Sequence, residues 1–274
     1  MKPGKPLVGV FDSGVGGLSV LREIRSLLPA QPLIYFADQA HVPYGSREIE
    51  EVFEFSLAIT RYLLAQGVKL IVVACNTASV AALQRLRLEY PAIPFVGMEP
   101  AVKPAAEQTR SSVVGVLATY ATFHTAMYAS VVERFAQGVT ILESPCPGLV
   151  AQVEKGDLTG VETRNILETA LIPMLEEGVD TIVMGCTHYP FVIPLIQQIV
   201  GPEVRVIDPA PAIARQVRRM LESHQLLAKG RRKTATKFVT TGDPVHFQRM
   251  VKQLLTEEPK IEPKAWLDGQ VIDI

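Results

Sequence analysis

The segment Gly67-Val68-Lys69-Leu70-Ile71-Val72-Val73-Ala74-Cys75 lines up with Gly178-Val179-Asp180-Thr181-Ile182-Val183-Met184-Gly185-Cys186, each residue of the second lying 111 positions (186 less 75) after its counterpart. Both read as a helix stop, a buried β-branched strand and a terminal cysteine, and each cysteine has a Thr close behind it. Val114-Gly115-Val116-Leu117 likewise echoes Val8-Gly9-Val10-Phe11, at an offset of 106 (114 less 8). A chain that repeats a strand and its ending in this way folds as two related α/β halves presenting equivalent strand ends.

The unit that recurs around these segments is a short β-branched run, a turn of Gly, Ser, Thr or Asn, and an amphipathic helix, the pattern of βαβ packing on a parallel sheet. Leu7 to Phe11 is one strand. Ser46 to Gln66 spaces Ile49, Val52, Phe53, Leu57, Tyr62 and Leu63 at helical intervals, carries Glu48, Glu50 and Glu51 at its start, and stops at Gly67. The strand Leu70 to Ala74 follows, then a helix from about Thr77 to Tyr90, halted by Pro91. Beyond Lys237 come a strand (Phe238 to Thr240), a turn at Gly242-Asp243-Pro244 with Asp243 as N-cap, a helix to about Glu257 and a closing stretch with Trp266. This tail is expected to return to the first half. The expected architecture is two pseudo-symmetric parallel-sheet α/β domains, 1–97 with 209–274 and 98–208, with the active site in the cleft between them.

At 274 residues, each half is long enough to bury a core. With 27 basic and 28 acidic residues and a net charge of -1, there is no electrostatic footprint for nucleic acid or an anionic membrane. Met1 to Pro6 carries two lysines, but the apolar run after it is broken by Asp12 and by glycines, so neither a signal peptide nor an anchor is expected. No apolar stretch approaches the roughly 18 residues of a membrane helix. A soluble, cytoplasmic protein acting on small molecules is the expectation. The basic stretch Lys229 to Lys233 reads as a solvated turn.

Three cysteines, Cys75, Cys146 and Cys186, with no close pair, argue against a disulfide scaffold. A cytosolic thiol is either a small buried hydrophobe or a reactive group. Cys146, between Pro145 and Pro147, is expected to be buried packing. Cys75 and Cys186 fall at the carboxyl ends of strands just before helices, where open α/β sheets bind ligands. A helix N-terminus there favours a thiolate or a carboxylate, but its dipole is worth at most about 2 kcal/mol, roughly 1.5 pKa units, so close neighbours must contribute. His188, two residues after Cys186, is placed to lower that thiol's pKa as a cation or to shuttle its proton. Asp12, if near Cys75, would raise the thiol's pKa. Two equivalent thiols facing each other suit stereoinversion, in which a proton leaves one face of a carbon and returns to the other. Two packing cysteines with no role stay open as an alternative. So does a zinc site of Cys75, Cys186 and His188, with Asp12 or Cys146, serving a hydrolase. A cleft that binds without catalysing is a third.

Asp12-Ser13-Gly14-Val15-Gly16-Gly17 follows a strand but has neither G-x-G-x-x-G spacing nor a P-loop lysine, so a nucleotide site is not indicated. It is either a turn where backbone approaches a small anion or an ordinary capped turn. Pro43-Tyr44-Gly45 is either a plain turn or a loop offering one phenol and one N–H to a carboxylate. His41, His124, His224 and His246 are expected to be structural or on the surface.

Taken together, Phe11-Asp12-Ser13-Gly14-Val15-Gly16-Gly17, Pro43-Tyr44-Gly45, Ala74-Cys75-Asn76-Thr77-Ala78 and Gly185-Cys186-Thr187-His188-Tyr189-Pro190 closely resemble bacterial glutamate racemases of the cofactor-independent aspartate/glutamate racemase superfamily. The likeness spans nearly the whole chain, including Leu149 to Glu154, where the family carries a Glu near its active site. It implies that Cys75 and Cys186 alternate as thiolate base and thiol acid on opposite faces of the α-carbon of L- or D-glutamate. It further implies that Asp12, His188 and Glu154 assist proton movement. Asp12, Ser13, Pro43, Tyr44, Gly45, Asn76, Thr77, Thr119, Thr187 and His188 would hold the substrate. Neither pyridoxal phosphate nor a metal is implied, a homodimer is, and the D-glutamate formed would feed peptidoglycan synthesis. His41 stands where many family members have Arg, two positions before the Pro-Tyr-Gly turn. The related aspartate racemases keep both cysteines but usually have Glu at the position of His188, which favours glutamate over aspartate here.

Overall fold

A computed structural model of the chain describes residues 6–99, 101–230 and 232–274. Lys2, Lys5 and Arg231, from the two basic stretches noted above, lie outside the described residues, whereas Lys229, Arg232 and Lys233 are exposed. The chain divides into two compact units, one built from residues up to Met98 and from Ala210–Ile274, the other from Glu99–Pro209.

The first unit carries the strands β1 (Leu7–Asp12), β2 (Leu33–Ala37), β3 (Val68–Val73) and β4 (Phe95–Gly97). The second carries β5 (Val113–Ala118), β6 (Thr140–Ser144), β7 (Thr181–Gly185) and β8 (Arg205–Ile207). The tail adds β9 (Thr236–Thr240), β10 (Ile261–Leu267) and β11 (Gln270–Asp273), which extend the first sheet beyond β2. The first sheet therefore has the order β11-β10-β9-β2-β1-β3-β4, parallel except for its edge strand β11, and the second has β6-β5-β7-β8, all parallel. Both units are α/β, and their central strands are buried on both faces, as the apolar runs of a parallel sheet require.

The repeat extends to topology and register. The order β2-β1-β3-β4 in one unit is β6-β5-β7-β8 in the other. Gly9 pairs with Ile71 and Val10 with Val72; in the second unit Gly115 pairs with Ile182 and Val116 with Val183, the same alignment found in the sequence. A packing device is repeated as well. A Cβ on Gly9 would meet Leu63 and Val68 at 3.1–3.3 Å, and one on Gly115 would meet Met174 at 2.7 Å and Val179 at 3.4 Å. Met174 and Val179 are the counterparts of Leu63 and Val68. In each unit the helix before the inner strand, Ile49–Ala65 or Val161–Glu176, leans onto a glycine of the central strand. Each is then stopped by a glycine in the left-handed region, Gly67 (φ +82) or Gly178 (φ +80).

Local elements follow their sequence signals closely. The helix expected from Ser46 runs Ile49–Ala65, and that after Cys75 runs Asn76–Glu89. Asp243 caps the helix Pro244–Leu255 by accepting from the Val245 N–H at 2.9 Å. One element differs. Cys186 is not followed at once by an α-helix: Thr187 and His188 form a turn, Tyr189–Val192 is a 3-10 helix, and the α-helix begins only at Ile193. Pro190 and Pro194 are the cause, since neither has an N–H for the α-helical ladder. Cys186 thus lacks the α-helix N-terminus that Cys75 has. No helix of the described residues is long and apolar enough to cross a membrane.

The glycine contacts predict non-additive stability. Gly115→Val, which drives methyls into Met174 and Val179, is expected to cost about 1–3 kcal/mol in urea unfolding. Met174→Ala alone should cost about 2–5 kcal/mol. The double variant should lose less than the sum by at least about 0.5 kcal/mol, because the smaller residue makes room for valine; simple additivity would show that this approach does not set the packing.

Candidate active site

In the first unit, β1 ends at Asp12 and β3 leads through Ala74 to Cys75. The Ala74 N–H donates to the Phe11 carbonyl at 2.8 Å, which brings the two strand ends up side by side. Asp12 is fully buried, and its Oδ2 accepts from the N–H groups of Gly14 (3.2 Å) and Gly17 (2.9 Å). The glycine turn closes around this carboxylate, and Tyr35 of β2 pins it by donating to the Gly14 carbonyl at 2.8 Å. Ser13 is buried in the same turn. Cys75 caps the helix Asn76–Glu89: its Sγ accepts from the Ala78 N–H at 3.4 Å. Asn76 and Thr77, in that helix's first turn, are buried, and neither the amide nitrogen nor the oxygen of Asn76 has a partner among the described residues. A buried amide left with a donor and an acceptor unmet is suited to a polar ligand.

Tyr44, in a 3-10 turn with Gly45 behind the exposed Pro43, is buried. Its hydroxyl donates to Asp38 Oδ2 at 2.7 Å. Burial, then the charge and hydrogen bond of Asp38, then the nearby Cys75 and Asp12 push this phenol well above its ordinary range. This differs from the phenol-to-carboxylate contact considered from the sequence. The single phenolic proton is committed to Asp38, so Tyr44 presents an acceptor to its surroundings. Asp38 was not singled out by sequence reasoning. It sits one residue past β2, beside Asp12, and its N–H donates to the Asp12 carbonyl at 3.0 Å. Its place just past a strand's carboxyl end was the available signal.

In the second unit, Cys186 follows β7, with Thr187 and His188 buried in the turn after it. His188 Nδ1 lies 3.7 Å from Cys186 Sγ, and its Nε2 lies 2.6 Å from Glu154 Oε1. Glu154 comes from the helix Leu149–Lys155. Burial alone would lower the His188 pKa, but hydrogen bonds to Cys186 and Glu154 and the charges of both outweigh it and hold the imidazole well above its ordinary range. As an imidazolium, His188 donates from both nitrogens, to the sulfur and to the carboxylate. Thr119, in the turn after β5, pairs its hydroxyl with that of Thr122 at 3.1 Å. Tyr189, fully buried, points its hydroxyl at the carbonyls of Ala118 (3.4 Å) and Pro145 (3.3 Å). Cys146 is buried, and burial, against a weak hydrogen bond from Ser144, lifts its thiol to about 12. That makes it a poor nucleophile, in keeping with a packing role.

The repeat thus places unlike chemistry on like scaffolds. The counterpart of Asp12 is Ala118, and Asn76 and Thr77 are replaced by Thr187 and His188. Cys75 is accompanied by carboxylates and backbone N–H groups, Cys186 by the His188 ring and the carboxylate of Glu154. Among the described residues, no three or more His, Cys, Asp or Glu side chains are grouped to hold a metal ion.

Two buried cysteines at equivalent strand ends suit the chemistry of racemases, isomerases that invert a stereocentre. The chain is a member of the Asp/Glu/Hydantoin racemase family, whose model matches residues 8–217. A glutamate racemase of Ectopseudomonas mendocina (strain ymp) is 51% identical over 254 residues, covering 93% of this chain and 96% of its own. The crystal structure of glutamate racemase isoform RacE1 from Bacillus anthracis matches with a TM-score of 0.86 at 30% identity, over 97% of this chain and 98% of that one. Escherichia coli glutamate racemase, solved with L-glutamate and the activator UDP-MurNAc-Ala, matches with a TM-score of 0.84 at 31% identity, over 98% and 100%.

The Glu154–His188 pair has a measurable signature. Because the folded pKa of His188 is raised, its contribution to stability is complete below the unfolded imidazole value and is lost as pH rises through the folded one. Glu154→Gln keeps the shape and an acceptor oxygen but removes the charge. His188 is expected to titrate at least about one unit lower by NMR, a shift equivalent to about 1.4 kcal/mol. The urea midpoints of variant and wild type should differ near pH 6 and converge in alkali. An unchanged titration would show that Glu154 does not hold the imidazolium.

Proposed function

We propose that this chain interconverts L- and D-glutamate by two-base proton transfer, with Cys75 and Cys186 acting on opposite faces of the α-carbon. One sulfur, as thiolate, removes the α-proton; the other, as thiol, returns a proton to the opposite face, and the roles exchange for the reverse direction. The observation that carries the proposal is the pair of cysteines at matching strand ends of the repeated β2-β1-β3-β4 and β6-β5-β7-β8 order and register, Cys75 receiving a backbone N–H and Cys186 lying beside His188. His188, hydrogen-bonded to both Cys186 and Glu154, supplies a proton as the imidazolium and takes one back only as the neutral ring on the Cys186 side, and Asp12 serves the Cys75 side. The unpartnered Asn76 amide, with Ser13, Thr77, Thr119, Thr187 and the Pro43–Gly45 turn, binds the substrate's carboxylates and ammonium. Glutamate is the substrate because relatives of closely similar length bear that activity in their names and the Escherichia coli neighbour holds L-glutamate. The same reading includes no cofactor, a homodimer, a cytoplasmic location and supply of D-glutamate for peptidoglycan.

Two measurements test this. In deuterated water, chiral chromatography with mass analysis should show solvent deuterium at the α-carbon of newly formed enantiomer, while recovered substrate carries none at early times. Equal early labelling of both would mean a single base and defeat the mechanism. Cys75→Ala and Cys186→Ala should each slow inversion by about 10²–10⁴-fold in both directions, since each thiol serves every turnover. Aspartate, assayed in parallel without added cofactor, should turn over far more slowly; faster turnover of aspartate would reassign the substrate.

A further inference from the structure

Asp38 is fully buried, and its two oxygens face different parts of the first unit. Oδ2 takes the Tyr44 hydroxyl at 2.7 Å and pairs with His41 Nδ1 at 2.9 Å, both from the segment between β2 and the helix Ile49–Ala65. Oδ1 takes the Thr241 hydroxyl at 2.7 Å and the Trp266 indole N–H at 2.7 Å, both from the tail. A buried carboxylate is stable only when its lone pairs are met, and here half the donors come from residues more than 200 positions away. The rings close around the same point. His41 stacks on Phe55 at 3.8 Å, Trp266 meets His41 at 4.9 Å and Phe55 at 5.5 Å in edge contacts, and Tyr44 lies 5.7 Å from Phe55. Arg47 completes the enclosure by donating from Nε to the His41 carbonyl at 2.6 Å.

We propose that Trp266 is a positioning residue for substrate binding, acting through Asp38 on Tyr44, so that the strand β10 is a working part of the site rather than an outlying extension of the sheet. With Oδ1 fixed by the indole N–H and the Thr241 hydroxyl, the carboxylate cannot turn, and Oδ2 holds the phenol in one orientation. Loss of the indole donor leaves Thr241 as the tail donor to Asp38 among the described residues, and the Tyr44 turn loses its fixed setting. The effect falls on fit to substrate, not on the proton-transfer sulfurs. The kinetic part of this inference rests on the racemase function proposed above; the coupling of tail to turn does not.

Trp266 is the chain's single tryptophan, which gives a direct probe. Tyr44→Phe removes the hydroxyl from the far oxygen of Asp38 and should alter the emission maximum or lifetime of Trp266; unaltered emission would overturn the coupling whatever the enzyme's activity. Trp266→Phe keeps an aromatic ring and deletes the N–H, and Thr241→Val deletes the other Oδ1 donor. Each is expected to raise the KM for glutamate about tenfold with kcat changed less than about twofold, the pattern for lost binding without lost chemistry. Wild-type Trp266 emission should also change saturably with L-glutamate. If wild type racemises glutamate but both variants keep its KM, or lose kcat and KM only in step with a lowered urea midpoint, Trp266 is structural and the inference fails. If wild type does not racemise glutamate, the function falls, and the Tyr44→Phe emission measurement alone decides the coupling.

Discussion

The parallel pairing of each central strand with the strand that ends in cysteine is the constraint on which the rest of the structure depends. Where β1 meets β3 and β5 meets β7, the register is the same, and a helix presses on a glycine of the central strand in both. Slipping either pair by one residue would turn every side chain of the strand to the other face, undoing the packing on both sides of the sheet and displacing the cysteine. Close packing on Gly9 and Gly115 opposes that slip, because a Cβ at either position would crowd the Leu63 or Met174 side chain. The strand ends, and the groups carried on them, inherit their positions from this contact.

On that shared frame, the two units differ in how they handle a proton. The first gathers acidic groups at its sheet edge, Asp12, Asp38 and the phenol of Tyr44 around Cys75, and offsets their charge with backbone N–H groups of a glycine turn. The second sets one histidine ring, its pKa raised, between a sulfur and a carboxylate. Like frames with unlike partners suit a reaction whose two half-steps are mirror images in geometry but whose substrate is chiral. Neither thiol needs to be permanently ionised if a partner close by accepts or supplies the proton.

Asp38 shows how a fold makes a local motif dependent on distant chain. The Pro43–Gly45 turn is short and one side of it is exposed, yet Tyr44 is buried and fixed because a carboxylate beneath it is held from the tail by Thr241 and Trp266. The three additional strands of the first sheet therefore do more than cover β2. They bring donors to a buried charge that the segment around it satisfies on one oxygen.

The sequence determined by itself the α/β class, the boundaries of the strands and helices it marked to within a few residues, the repeat, and the chemical identity of the groups at the strand ends. These are local or periodic properties: apolar runs, helix-stopping glycines, capping residues such as Asp243, and a cysteine that follows each of two matching buried strands. It also carried the family likeness, since Asp12, Cys75, Cys186 and His188 sit in short contiguous motifs. Only the tertiary structure decided what each group meets. Glu154 lies 34 residues from His188 and Trp266 lies 228 from Asp38, and no periodicity relates either pair. The replacement of an α-helix by a 3-10 turn after Cys186, and the commitment of the Tyr44 proton to Asp38, were likewise settled by packing and by the need to satisfy buried polar groups. Hydrogen bonds to buried charge depend on three-dimensional neighbours, and a sequence orders only the neighbours along the chain.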